Sequence, residues 1–125
     1  MSNDVDFAEC QQCLCLAARV EAQRLTRMFD DRLRPFDLTI NQFTLLATLM
    51  IAGPQTVTRL AGRLGIDRTT LTRNLSLAER RGLVKDKPGE DSRERLIEIT
   101  TAGRELASTA FPAWKAAQQQ AKVPR

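Results

Sequence analysis

The 125-residue sequence contains no histidine and no tyrosine. Their absence removes the imidazole that most often performs acid–base work near neutral pH, and with it the commonest nitrogen ligand for metals. No pairing of a nucleophile with a general base is legible either, so neither an enzyme nor a bound cofactor is expected. No apolar run approaches the roughly 18–20 residues of a membrane span. The chain opens Met1-Ser2-Asn3-Asp4-Val5-Asp6, acidic where a secretory signal is basic. A cytoplasmic protein without membrane contact is the expectation. Cysteine is scarce, with three residues crowded between Cys10 and Cys15, which argues against a structural disulfide framework.

What is present fits one folded unit. With 42% hydrophobic and 27% charged residues, the chain has enough apolar material for a single domain spanning residues 1–125. The net charge of +4 is localised: residues 55–81 hold six arginines (59, 63, 68, 73, 80 and 81) against Asp67 and Glu79, and so account for all of it. A solvated helix surface is the plain alternative to a polyanion-binding face.

Hydrophobic spacing divides the chain. Residues 6–34 lack glycine and proline and place Cys15, Ala18, Ala22, Leu25 and Phe29 at steps of three and four, which predicts one long amphipathic helix ending at Arg34-Pro35. Thr39 with Gln42 reads as a capping box for a helix from Ile40 to about Ala52, with Phe43, Leu46, Leu49 and Met50 on its apolar face and Gly53-Pro54 beyond. Thr56 caps a third helix carrying Val57, Leu60, Ala61 and Leu64 up to Gly65. Asp67 caps a fourth, with Leu71, Leu75 and Ala78 inward and Gly82 past its end. The period then changes to two: Leu83-Val84-Lys85 and Leu96-Ile97-Glu98-Ile99 flank Pro88-Gly89-Glu90-Asp91-Ser92, a β-hairpin with a charged tip. Thr100 caps a last helix from Thr101 to about Ala121, which Pro112 is expected to kink or divide. The predicted fold is mainly α with a small β-hairpin wing, a winged helix-turn-helix flanked by N- and C-terminal helices.

The third and fourth helices suit a helix-turn-helix whose second helix lies in the major groove of duplex DNA. At about 100° per residue, with Leu71, Leu75 and Ala78 inward, Thr69, Arg73, Ser76 and Arg80 point outward, with Thr70 and Thr72 beside them. Short hydroxyls let the backbone approach base edges, and an arginine pairs bidentately with guanine. Arg68 sits beside the helix N-terminus, whose free N–H groups suit a phosphate. In the hairpin, Arg93, Arg95, Lys85 and Lys87 are placed to reach the adjoining minor groove and phosphates, with Asp91 two residues before Arg93 as its brace.

The order of long helix, Leu38-Thr39-x-x-Gln42-Phe43, helix-turn-helix, Asp67-Arg68-Thr69-Thr70-Leu71-Thr72-Arg73, Glu79-Arg80-Arg81-Gly82-Leu83-Val84, Asp91-x-Arg93 and Ile99-Thr100-x-x-Gly103 resembles the MarR family of bacterial transcription regulators over about residues 7–115. The resemblance implies dimerisation helices at about 6–34 and 101–121 around a winged lobe at about 39–100. It also implies a homodimer on a pseudo-palindromic operator, repression by occupancy, and release by a small-molecule effector or an oxidant. It makes Arg93 the wing arginine, Asp91 its support, and Thr69, Thr70, Thr72 and Arg73 the major-groove readers. Family members carry a further C-terminal helix at the dimer interface. This sequence ends at Lys122-Val123-Pro124-Arg125, so either it is shortened or dimerisation rests on the first and last helices.

Cys10, Cys13 and Cys15 leave three readings open. In a continuous helix Cys13 and Cys15 lie about 160° apart, which works against a closed metal site. Cys15 resembles in position the reactive cysteine of the family's hydroperoxide-sensing branch. That branch activates its thiol with tyrosine hydroxyls, absent here, and Phe29 lies on the same seam; Arg19, one turn on, is the available cation. The remaining reading is a small hydrophobe in a packed helix. The alternative to a DNA-binding regulator is a thiol or metal sensor, or a protein-binding winged helix, without its own operator.

Overall fold

In the computed structural model, which describes residues 4–91 and 93–124, the N-terminal helix is shorter than its periodicity predicts. Phe7–Gln12 form 3-10 turns, Cys13 is extended, and the α-helix proper, α1, runs Leu14–Leu33. Asp6 accepts a hydrogen bond from the Ala8 N–H at 2.9 Å, and the Cys13 N–H donates to the Cys10 carbonyl at 3.1 Å, so the segment satisfies its backbone in tight local turns. Every residue from 4 to 20 is exposed. With no tertiary burial there, nothing favours extending the α-helix upstream.

Downstream, the caps stand where the sequence places them. Pro35 sits in a 3-10 turn, Arg34–Phe36, and Asp37 takes the left-handed conformation at φ 55° before α2, Ile40–Ala52. Both halves of the Thr39/Gln42 capping box form. Asp30 of α1 adds a third acceptor, taking the Ile40 N–H at 2.7 Å, so the end of one helix caps the start of the next. On α2 the buried residues are Phe43, Leu45, Leu46 and Leu49; Met50, expected inside, faces out. Thr56 caps α3, Val57–Leu64, and Gly65 ends it at φ 64°. Asp67 then caps α4, Arg68–Arg80, which buries Leu71, Leu75 and Ala78 as predicted.

The hairpin is formed by β2, Val84–Pro88, and β3, Arg95–Ile99. It has a third member that periodicity does not reveal. The two-residue β1, Gln55–Thr56, pairs antiparallel with β3, giving a sheet of order β1-β3-β2 that ties the wing's root to the start of α3. The last helix, α5, runs Thr101–Lys122 and is not divided at Pro112. Pro112 and Ser108 are both exposed, so the Ser108 carbonyl that loses its donor lies on the solvent side, where the loss is least costly. Among the described residues no helix is long and apolar enough to cross a membrane.

The core draws on most of these elements. Leu33 of α1, Leu45, Leu46 and Leu49 of α2, Leu60 of α3, Leu71 of α4 and Ile97 of β3 are all but fully buried, each contributing about 1.5–3 kcal/mol of apolar transfer. The start of α5 is held by backbone atoms: the Thr100 N–H donates to the Leu83 carbonyl at 3.0 Å, and the Thr100 hydroxyl donates to the Gly82 carbonyl at 2.6 Å. Gly103 is what permits this approach, because a Cβ there would lie 2.2 Å from the Leu83 oxygen and 2.7 Å from Ile99 Cγ1. Gly103→Ala is therefore expected to destabilise the protein by about 1–3 kcal/mol despite alanine's better helix propensity. Gly62→Ala in α3, where a Cβ meets nothing within 4 Å, is expected to stabilise it by about 0.4–1 kcal/mol. Denaturant melts of the two variants check the pair.

Candidate nucleic-acid interface

The interface begins at the cap of α4. Asp67 accepts the Thr70 N–H at 2.7 Å and the Thr70 hydroxyl at 3.2 Å. These bonds hold its carboxyl below the usual carboxylate value: the Thr70 backbone bond first, then the Thr70 hydroxyl, with smaller help from the Thr69 N–H and the Arg73 charge. Thr70 is thus half-buried and engaged in the cap, and its predicted role as a reader is not supported by its placement. Arg68, Thr69, Thr72, Arg73 and Arg80 are exposed, while Ser76 is half-buried at the margin of the same face. Ala61, small and buried, and the left-handed Gly65 let α3 brace α4 at close quarters.

The basic segment divides into anchored and unanchored arginines. Arg63 donates from Nε to Gln55 Oε1 at 3.2 Å, and Gln55 in turn donates to the Pro54 carbonyl at 2.9 Å. Arg81 donates from Nη1 and Nη2 to the carbonyls of Asp37 and Phe36, bolting the end of α4 to the elbow between α1 and α2. Sequence reasoning missed this role because the acceptors are backbone atoms 44 and 45 residues away. Among the described residues, no side-chain hydrogen bond or ion pair engages the guanidinium of Arg68, Arg73, Arg80 or Arg93.

The wing departs from expectation at two positions. Asp91 does not grip the Arg93 guanidinium; its Oδ1 accepts the Arg93 backbone N–H at 3.1 Å, and its carbonyl accepts the Glu94 N–H at 2.8 Å. It shapes the tip and leaves the Arg93 side chain exposed. Arg95 does not reach outward. Its Nε donates to Asp86 Oδ1 at 2.7 Å and its Nη2 to Glu79 Oε1 at 2.9 Å, and these partners, Asp86 foremost, raise its pKa further above the ordinary arginine value. The register explains it. Asp86 pairs with Ile97 and Pro88 with Arg95, so Arg95 shares the inward face with Ile97 and Ile99. Period-two alternation from Ile97 is the signal that would have found this.

The cysteines are free and exposed. Cys15 accepts a hydrogen bond from Arg19 Nη2 at 3.8 Å, the cation that the spacing predicts, but it is not packed in an apolar seam. Cys13 marks the break before α1, so the continuous-helix angles do not apply. Among the described residues no three Cys, Asp or Glu side chains converge as metal ligands.

A helix-turn-helix with an exposed polar face on its second helix and a highly charged hairpin beside it defines a winged-helix regulator as a class. The MarR family model matches residues 36–94. The DNA complex of the M. tuberculosis transcriptional regulator MosR superposes with a TM-score of 0.80 at 40% identity, over 90% of this chain and 84% of that one. A cysteine-to-serine variant of E. coli MarR complexed with operator DNA gives 0.81 at 26% identity, over 94% and 85%. Among curated sequences, the uncharacterised HTH-type transcriptional regulator YwoH of Bacillus subtilis strain 168 is 32% identical over 79 residues, 63% of this chain and 58% of YwoH. The chain therefore matches less than two thirds of that relative's length. It belongs to the MarR family of transcriptional regulators.

The cap also yields a pH dependence. Because the Asp67 carboxyl is held low in the folded state, its contribution is present above the unfolded carboxyl value and is lost as pH falls through the folded one. Asp67→Asn is expected to melt below the parent at neutral pH, with the gap closing in the acidic range; thermal melts at stepped pH measure it.

Proposed function

We propose that the chain is a sequence-specific repressor that binds a pseudo-palindromic duplex operator as a homodimer, α4 reading the major groove and the wing tip entering the minor groove. The observation that carries this is the exposure of Thr69, Thr72 and Arg73 on α4 and of Arg93 at the wing tip, with neither guanidinium engaged in a hydrogen bond or ion pair among the described residues. Arg68 at the helix N-terminus and Arg80 at its far end extend the same positive surface toward the phosphates. Ser76 contributes at the margin. The solved complexes of MosR with DNA and of the MarR variant with operator DNA support a DNA partner. A second copy has apolar surface to cover at the chain's two ends, where Phe7, Leu14, Val20 and Phe111 are exposed.

Selection of bound sequences from random duplex DNA tests this, giving half-site spacing and hence the number of copies bound. Arg73→Ala is expected to cost about 1–3 kcal/mol and relax preference at one base pair of each half-site. Arg93→Ala is expected to weaken binding to all sequences and flatten the dependence of log K on log salt by about 0.9 for each phosphate the side chain neutralises. A salt-insensitive complex indifferent to both substitutions would overturn the reading.

For release, two routes have support in the molecule. A cleft of about 480 Å³ lies between the end of α1, the elbow and the last turn of α4, lined by Asp30, Arg34, Thr39, Leu77 and Arg80 among others, where a small effector would press on the reading helix. Cys15 is accessible to an oxidant and accepts a hydrogen bond from Arg19 Nη2. Peroxide treatment is expected to weaken operator binding by the parent and not by Cys15→Ser; an equal response in both removes the thiol route.

A further inference from the structure

The core row on the inner face of the wing ends early. Val84, Ile97 and Ile99 are buried, but from Lys85 to Arg95 every described residue is exposed except the half-buried Gly89. From Ile97 toward the tip, then, the inner face of the hairpin carries no further buried apolar residue among those described. The next inward position along β3 is Arg95, and its guanidinium meets two carboxylates from two different elements: Glu79 in the last turn of α4 and Asp86 in β2.

We infer that Arg95 is a positioning residue for DNA binding, a clamp that sets the angle of the wing on the recognition helix without touching DNA. This rests on the reading of α4 and the wing as one DNA-binding surface. Three features carry it. The fork geometry of a guanidinium allows Nε and Nη2 to serve two acceptors at once, at 2.7 and 2.9 Å, which a lysine ammonium matches only as a point charge. The acceptors lie nine residues before Arg95 on the partner strand and 16 before it on the helix, so the contact joins the strands to α4 at a point beyond the buried root of the wing. The guanidinium is already engaged: Nε and Nη2 both meet carboxylates of this chain, so its bonded partners are protein groups rather than phosphates.

A partly exposed ion pair is worth little to global stability, and the clamp has no need to be worth more. A wing that samples several angles binds DNA only from the fraction at the right one, so a small bias in that population appears directly in the apparent affinity.

The experiment compares Arg95→Ala, Arg93→Ala, Glu79→Gln and Arg95→Ala/Glu79→Gln in two measurements. Titration of operator DNA at several salt concentrations is expected to show Arg95→Ala weaker by roughly three- to tenfold at each, the scale two exposed ion pairs supply, with the salt slope of the parent. Arg93→Ala is expected to flatten that slope. In the free protein, amide exchange at Gly89, whose N–H donates to the Glu94 carbonyl at 3.2 Å across the hairpin, is expected to be faster in Arg95→Ala and in Glu79→Gln and no faster in the double variant than in Arg95→Ala alone. A slope flattened in Arg95→Ala as in Arg93→Ala makes Arg95 a phosphate contact and overturns the inference, as does unchanged affinity or additive exchange rates. If the parent binds no duplex DNA, the functional reading fails, while the exchange cycle still decides the clamp.

Discussion

Leu71, Leu75 and Ala78 are each no more than 4% exposed, and their burial sets the rotation of α4 about its axis. Everything outward on that helix follows from it. An α-helix has one free rotational degree once its axis is placed, and three apolar side chains in a row remove it. The cap at Asp67 settles where the helix starts, and Arg81 on the elbow carbonyls settles where its far end rests. Rotation, start and end are thus held by groups that do not lie on the outward face.

The arginines show how a basic segment divides its work. Counted from the sequence, residues 55–81 hold a concentrated positive charge. In the fold, Arg63 and Arg81 are consumed in holding β1 and the elbow, whereas Arg68, Arg73 and Arg80 face outward. The same division recurs in the wing, where Arg93 and Arg95 stand two residues apart on opposite sides of the hairpin's work. Local charge density is therefore a poor measure of binding capacity; hydrogen-bond partners are the better one.

Features governed by neighbours within four residues were legible in the sequence. The capping box at Thr39, the caps at Thr56, Asp67 and Thr100, and the left-handed stops at Gly65 and Gly82 depend on local backbone chemistry and stand where that chemistry puts them. The outward set on α4 followed from periodicity, except that Thr70 turned back to the cap and Ser76 lay at the margin. What was not legible depends on distant partners. β1 has two residues and no period to display. The break at Cys13 carries no helix-breaking residue to announce it, and Arg95 was assigned by charge when its place in the strand's alternation decided the matter. Asp91 was right in location and wrong in target, since a turn aspartate finds a nearby N–H more readily than a long, mobile guanidinium.

The close seat of α5 on the Leu83 carbonyl, made possible at Gly103, has an evolutionary corollary. The join between the winged lobe and α5 includes main-chain atoms and a glycine beside its apolar packing, and α4 is held by its buried row and its two ends. Its solvent-facing residues bear almost none of the folding free energy, so exchanging them alters stability little. On the proposed reading of α4, changing a few outward side chains would address the scaffold to a new stretch of DNA, while the mechanical frame that presents them stays the same.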